Sequence, residues 1–175
     1  PVLEPYKYAQ RILSRPVVRQ YEERPGRDGL QGRVPLQRRV VQDRRSGRGT
    51  MSFKDGSSYQ GSWKECLKHG KGVFKWNNGS AYDGDWSNGK REGHGRCTYE
   101  DGSRYEGSFK NNCRDGRGTF WARDGATYTG EWTANEKHGN GKYTWHDGST
   151  FEGNWNRGNM ASGSLRCADG RVERM

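Results

Sequence analysis

The chain has 175 residues, 29% of them hydrophobic, and a formal net charge of +10. So few apolar side chains exclude a thick globular core, and no apolar run approaches the roughly 20 residues that cross a bilayer as a helix. Seven Trp, nine Tyr and 27 Gly argue instead for thin repeating units that each bury a strip against their neighbours.

Residues 1–46 read as a basic arm. As far as Arg48 the chain carries 12 basic and five acidic residues, net +7, against 19 and 16, net +3, over the rest. All five prolines fall here: Pro1, Pro5, Pro16, Pro25 and Pro35. Short helical stretches are expected between them. Tyr8, Ala9, Ile12 and Leu13 share one face, and Val17, Val18 and Tyr21 another, with Ser14 as a cap and Pro25-Gly26 as the stop. Such a segment does not fold alone. It orders on a partner, the reading preferred here, or folds back over one end of its own chain. The expected partner-binding residues are Arg11, Arg15, Arg19, Arg24, Arg38, Arg39, Arg44 and Arg45, with Tyr8, Ile12, Leu13, Val17 and Tyr21. Arginine suits this role because its planar fork bonds carboxylate or phosphate through two N–H groups. A secretory signal pattern is not expected, and Glu4, Glu22, Glu23 and Asp28 argue against an organelle presequence within the arm. A presequence already removed stays open.

Beyond the arm a 23-residue period sets in. Residues 47–58, from Gly47-Arg48-Gly49 to Asp55-Gly56, read as the second half of a unit. Its first half would begin at Leu36, with Val40 where Trp is expected. Whole units follow at 59–81, 82–104, 105–127 and 128–150. Each starts Tyr-x-Gly-x-aromatic: Tyr59/Trp63, Tyr82/Trp86, Tyr105/Phe109 and Tyr128/Trp132, with Phe151/Trp155 opening a degenerate last unit and cap over 151–175. A Gly-x-Gly comes next, as in Gly70/Gly72, then an Asn-Gly or Asp-Gly step such as Asn78-Gly79. Inside a unit the period is 2, so these aromatics share one face of a strand and form the repeat core. The mid-strand Gly marks close approach of a neighbouring ring, and the Asp-Gly steps mark turns. The fold class expected is all-β: an open single-layer antiparallel sheet of tandem β-hairpins behind the arm. Trp86→Ala is expected to cost more than Trp155→Ala, because a central ring has neighbours on both sides.

Tyr-x-Gly-x-Trp, Gly-x-Gly and Asp-Gly at this period resemble the MORN repeat, the membrane occupation and recognition nexus motif, over residues 47–170. The resemblance implies a row of antiparallel hairpins in one long twisted sheet. It also implies scaffold roles in cytoskeletal and ciliary assemblies or membrane junctions, with phospholipid binding proposed for some members.

No constellation of residues supports catalysis, and no cofactor is expected. Cys66-x-x-His69 is a single pair where zinc needs four ligands, and it does not recur. Cys66, Cys97, Cys113 and Cys167 fall at three different repeat positions, which suits a reducing compartment better than a disulfide framework. His69 and His138 are expected at equivalent turn positions, with Glu92 and Asp115 in the other units. Asp83, Asp85, Glu106, Glu131 and Glu152 alternate with the aromatics and are expected on the opposite, solvated face. Nucleic acid is disfavoured, since the repeat aromatics are already used in stacking. The function expected is a non-catalytic structural subunit of a multiprotein assembly, bound through the rod surface and the basic arm. One alternative is a peripheral membrane adaptor for anionic phospholipid. Another is an accessory subunit of a mitochondrial or other organellar membrane complex. Cytoplasm, cytoskeleton or cilium is the expected location, with the mitochondrial inner membrane as the alternative.

Overall fold

The computed structural model describes residues 45–174. The helical stretches expected in the arm, and all its partner-binding candidates except Arg45, lie outside the described residues. The strands are β1 Gly47–Ser52, β2 Ser58–Lys64, β3 Leu67–Lys75, β4 Ala81–Ser87, β5 Lys90–Thr98 and β6 Arg104–Lys110. They continue as β7 Cys113–Trp121, β8 Thr127–Thr133, β9 Glu136–Thr144, β10 Thr150–Asn156, β11 Asn159–Arg166 and β12 Val172–Arg174. Each pairs antiparallel with its sequence neighbours, so the described residues form one open 12-stranded sheet with no helix. At about 4.8 Å per strand the sheet is roughly 50–55 Å long.

Two kinds of turn alternate. The Asp-Gly steps sit in three-residue loops between units. Phe53 N–H donates to Ser57 O at 2.9 Å, and Gly56 takes a left-handed φ of 85°. Asp55 accepts from the Ser57 hydroxyl (2.6 Å) and amide (2.9 Å), which holds its carboxyl below the ordinary range. Asp101 and Asp147 repeat this with Ser103 and Ser149. The turn inside each hairpin has two residues, both left-handed, as the right-handed strand twist requires. Asn88-Gly89 suits it by chemistry, but Glu65-Cys66 and Ala134-Asn135 also adopt it, with φ from 49° to 74°.

The Gly-x-Gly pair follows from register. Gly61 faces Gly72 and Trp63 faces Lys68, so Ser62 alone stands opposite His69-Gly70-Lys71. Gly70 absorbs that bulge with a φ of 61°. Gly72 lies beneath the Tyr59 ring, and a Cβ there would overlap it. The bulge corrects one expectation. His69, Glu92, Asp115 and His138 lie within β3, β5, β7 and β9, not in turns, because a two-residue turn lets the strand restart at once.

A single layer acquires a buried core because one face covers itself. Tyr59, Tyr82, Tyr105, Tyr128 and Phe151 lie over the glycines and are at most 1% exposed. Trp86, Phe109, Trp132 and Trp155 lie over them in turn and are at most 5% exposed. The rings form an unbroken zigzag from Trp63 to Phe151. Successive centroids are 4.9–5.5 Å apart, with planes crossed at 80–90°. Edge-to-face contacts of this kind add about 0.5–1.5 kcal/mol each to the gain from burial. Each tyrosine hydroxyl reaches the carbonyl three residues on, as Tyr82 Oη does to Asp85 O at 2.9 Å. Trp86 Nε1–H donates back to Gly72 O at 2.9 Å, tying one unit to the one before; Trp132 and Trp155 do likewise to Gly118 O and Gly141 O.

The array is therefore directional, which revises the expected ranking of Trp86 over Trp155. Each Trp packs on its own unit's Tyr or Phe and on rings of the preceding unit. Trp155 meets Phe151, Tyr128 and Tyr143, just as Trp86 meets Tyr82, Tyr59 and Phe74. Of the four indoles in the zigzag, Trp63 is the one left half-buried, and its ring partner is Tyr59.

Candidate binding face

The aromatic face carries more than its rings. Arg45, Lys68, Arg91, Arg114 and Lys137 recur every 23 residues, each just after a hairpin turn or its equivalent. Lys68 Nζ lies 4.2 Å from the Phe74 centroid and 4.1 Å from that of Trp86. Lys137 Nζ lies 4.6 Å from Tyr143 and 4.2 Å from Trp155. Arg91 spans Trp76, Tyr82 and Phe109 at 5.3–6.0 Å, and Arg114 lies 4.2 Å from Trp132. The charged heads themselves lie over the rings, and all four of these side chains are half-buried. Ring quadrupoles favour the cations. Burial works the other way, and with repulsion from Arg91 it lowers Lys68 to about 8. Burial lowers Lys137 as well.

The two arginines are latched to the next hairpin. Arg91 N–H donates to Asn112 Oδ1 at 2.8 Å and its guanidinium to Asn112 O at 2.6 Å. Arg114 does the same with Asn135, at 2.8 Å for both bonds. Where the cation is lysine, the matching turn residue is glycine: Gly89 for Lys68 and Gly158 for Lys137. Arg45 belongs to this series by geometry. Its carbonyl accepts from Cys66 N–H at 2.9 Å, and its guanidinium lies 5.9 Å from the Trp63 ring. In the sequence the signal for this series is a basic residue at every 23rd position from Arg45 to Lys137, which the net charge of residues 1–48 does not display.

The opposite face is polar. Asp85 pairs with Lys71 at 2.8 Å, Glu106 with Arg96 at 2.9 Å and Glu152 with Lys142 at 3.9 Å, each across neighbouring strands. Glu92 and Asp115 accept from the backbone N–H groups of Asn111 and Ala134 in the following hairpin's turn. Trp121 is an aromatic in this polar register, and Arg104 stacks on it at 4.6 Å. Burial raises the Cys97 thiol, which sits in the aromatic register where β3 has Phe74. Cys66 takes the amide hydrogen of Arg45 on its sulfur at 3.2 Å. Among the described residues no three His, Cys, Asp or Glu side chains converge as metal ligands would.

These features define a tandem β-hairpin repeat protein whose core is one face of a single sheet. The chain belongs to the MORN-repeat family. The family model, described as MORN repeat, matches residues 40–58, 59–81, 82–104, 105–127, 128–150 and 151–170. No curated protein matches the chain. Among solved structures it is similar to the TCP domain of Drosophila melanogaster SAS-4 (dCPAP) in complex with a proline-rich motif of Ana2 (dSTIL). That likeness has 14% identity and a TM-score of 0.36, over 84% of this chain and 96% of that one. It is also similar to the TCP10c domain of Drosophila melanogaster Sas-4, with 14% identity and a TM-score of 0.34, over 73% of this chain and 91% of that one.

Proposed function

We propose that the chain is a non-catalytic scaffold subunit that binds other proteins through its sheet surface and its basic arm. The observation that carries this reading is the aromatic–cationic face itself. It runs unbroken from β2 to β10, repeats its chemistry at every unit, and is a regular surface, not a pocket built around one reacting group. With Arg45 and Arg48 counted together with the sheet, residues 1–44 hold 10 basic and five acidic residues, and residues 45–175 hold 21 and 16, so each part carries a net +5. The arm concentrates that charge in a third of the length. A cytoskeletal or ciliary assembly is the setting we favour, on family grounds.

The second reading is attachment to an anionic membrane or an organellar membrane complex. The row of cations along the aromatic face favours it. Two measurements separate the readings. The first compares pull-down of the native assembly by the full chain and by a chain lacking residues 1–44, with circular dichroism as the folding control. The second is flotation with neutral and anionic vesicles across salt. The scaffold reading expects the truncation to stay folded and to lose most of the assembly, and expects at most weak flotation that salt abolishes. Tight, salt-resistant binding to anionic vesicles with no captured assembly would replace it by the membrane reading.

A further inference from the structure

Lys68, Arg91, Arg114 and Lys137 are cations that the fold leaves partly unused. Among the described residues none of them joins an ion pair; the pairs present are Lys71–Asp85, Arg96–Glu106, Lys142–Glu152 and Arg171–Asp169. Arg91 and Arg114 each give a guanidinium N–H to a carbonyl and keep others to offer. The Lys68 and Lys137 ammonium groups face only rings, at 4.1–5.8 Å. A ring quadrupole attracts a cation but does not replace the hydrogen bonds that water gave it. The sheet has carboxylates in number, yet Asp85, Glu106 and Glu152 are engaged on the other face, and Glu92 and Asp115 are tied to turns. Half-buried Trp76, Tyr99 and Trp145 continue the apolar surface beside these cations. A shallow cleft lined by Lys137, Tyr143, Trp145, Trp155 and Met160 opens at its C-terminal end.

We infer that this face docks an acidic segment of a partner protein, laid across the strands so that successive carboxylates fall over successive cations. The inference rests on the scaffold reading above and names the partner's chemistry. Charge complementarity selects the acid, and the repeat fixes its spacing. Two strands advance the sheet by about 10 Å, so the carboxylates must recur at about 10 Å. A helix rises about 1.5 Å per residue, which makes that every seventh residue. A polyproline II chain, with three residues per turn and about 3.1 Å per residue, makes it every third. Apolar side chains between the acids would rest on Trp76, Tyr99 and Trp145.

The test uses the full chain and labelled peptides with four glutamates, read by fluorescence anisotropy. One peptide is helix-forming with Glu at every seventh position. One forms polyproline II with Glu at every third. One is helix-forming, of the same composition as the first, with Glu at every fifth. Lys68→Met with Lys137→Met removes both ammonium charges and keeps the stems on the rings. Lys75→Met with Arg117→Met removes the same charge from the polar register. We expect a matched peptide to bind at least about tenfold more tightly than the mismatched one, and the Lys68/Lys137 pair of substitutions to weaken it about tenfold. The Lys75/Arg117 pair should change it by less than about threefold. Near-UV circular dichroism checks that both variants keep their ring packing. Equal affinity for matched and mismatched peptides, or equal loss in the two variants, overturns the inference in favour of unspecific attraction. Binding to phosphatidylserine vesicles but to none of the peptides overturns it in favour of a lipid surface. Assembly capture that survives Lys68→Met/Lys137→Met while no peptide binds leaves the scaffold reading standing and removes this one.

Discussion

The two faces of the sheet come from the same strands, one residue out of phase, and they use their side chains differently. On one face Tyr, Trp and Gly fit so closely that each unit's rings pack on those of the next. On the other, ion pairs such as Arg96–Glu106 stay largely in water, where a pair contributes about 0–1 kcal/mol. The first face thus holds the units together, and the second can vary without loss of fold. The lesson concerns where a thin protein keeps its core. Without a second layer, a strand face is buried only if its large rings lie flat, and they lie flat only over glycine.

The sharpest way to break this comparison is to truncate a ring. Trp132→Ala should destabilise by about 3–5 kcal/mol, since it removes contacts to Tyr105, Tyr128 and Phe120 and the bond to Gly118 O. Thr119→Ala on the polar face should fall within about 0.5 kcal/mol. Trp155→Ala should match Trp132→Ala, and Trp63→Ala should cost clearly less, because the packing is directional. Urea unfolding monitored by near-UV circular dichroism, with hydrogen exchange at each hairpin, checks the ranking. A smooth decline from the centre to both ends would show that neighbours on the C-terminal side matter as much as those on the N-terminal side.

A smaller effect tests the latch between units. Asn112→Gly keeps a left-handed residue in the turn and removes the side-chain acceptor for Arg91 N–H. We expect a loss of about 0.5–1.5 kcal/mol, the net worth of one hydrogen bond. Hydrogen exchange should speed up at Arg91 and at the Asn111-Asn112 turn before anywhere else. Unchanged exchange there would mean that the Arg91 guanidinium bond to Asn112 O suffices.

Most of the fold was legible because two periods coincide in the sequence. Tyr59, Tyr82, Tyr105, Tyr128 and Phe151 mark the unit, and alternation with polar residues marks the strand. The two-residue turns were not legible at Glu65-Cys66 or Ala134-Asn135, which lack the glycine signature. Their positive φ is imposed by the ladders on either side. Nor was the cation series, because charge was counted by segment. A lysine over a tryptophan looks in sequence like any solvated lysine, and only the strand register puts Lys68 over Trp86.

The smallest effect separates the faces by pH. Lys68 titrates near 8 in the folded chain, against an ordinary 10.5. Between those values the unfolded chain binds more protons, so stability rises with pH. Lys137 adds to this in the same direction. Burial pushes Tyr59 and Tyr128 up to about 12 from 10.0. Their contribution is complete below 10.0 and is lost as pH climbs through about 12. The turn carboxylates Asp55, Asp101 and Asp147 are lowered from 3.8, so their contribution is present above 3.8 and fades as pH falls below it. The aromatic face therefore shapes the alkaline limb, with a shallow rise and then a fall, while the turns shape the acid limb. Thermal midpoints at about pH 7, 9 and 11 should show the rise and the fall in the full chain. In Lys68→Met the rise should shrink and the fall remain. A flat profile between about pH 8 and 10 would show that Phe74 and Trp86 hold the Lys68 ammonium as strongly as burial opposes it, leaving all four face cations fully charged for a partner.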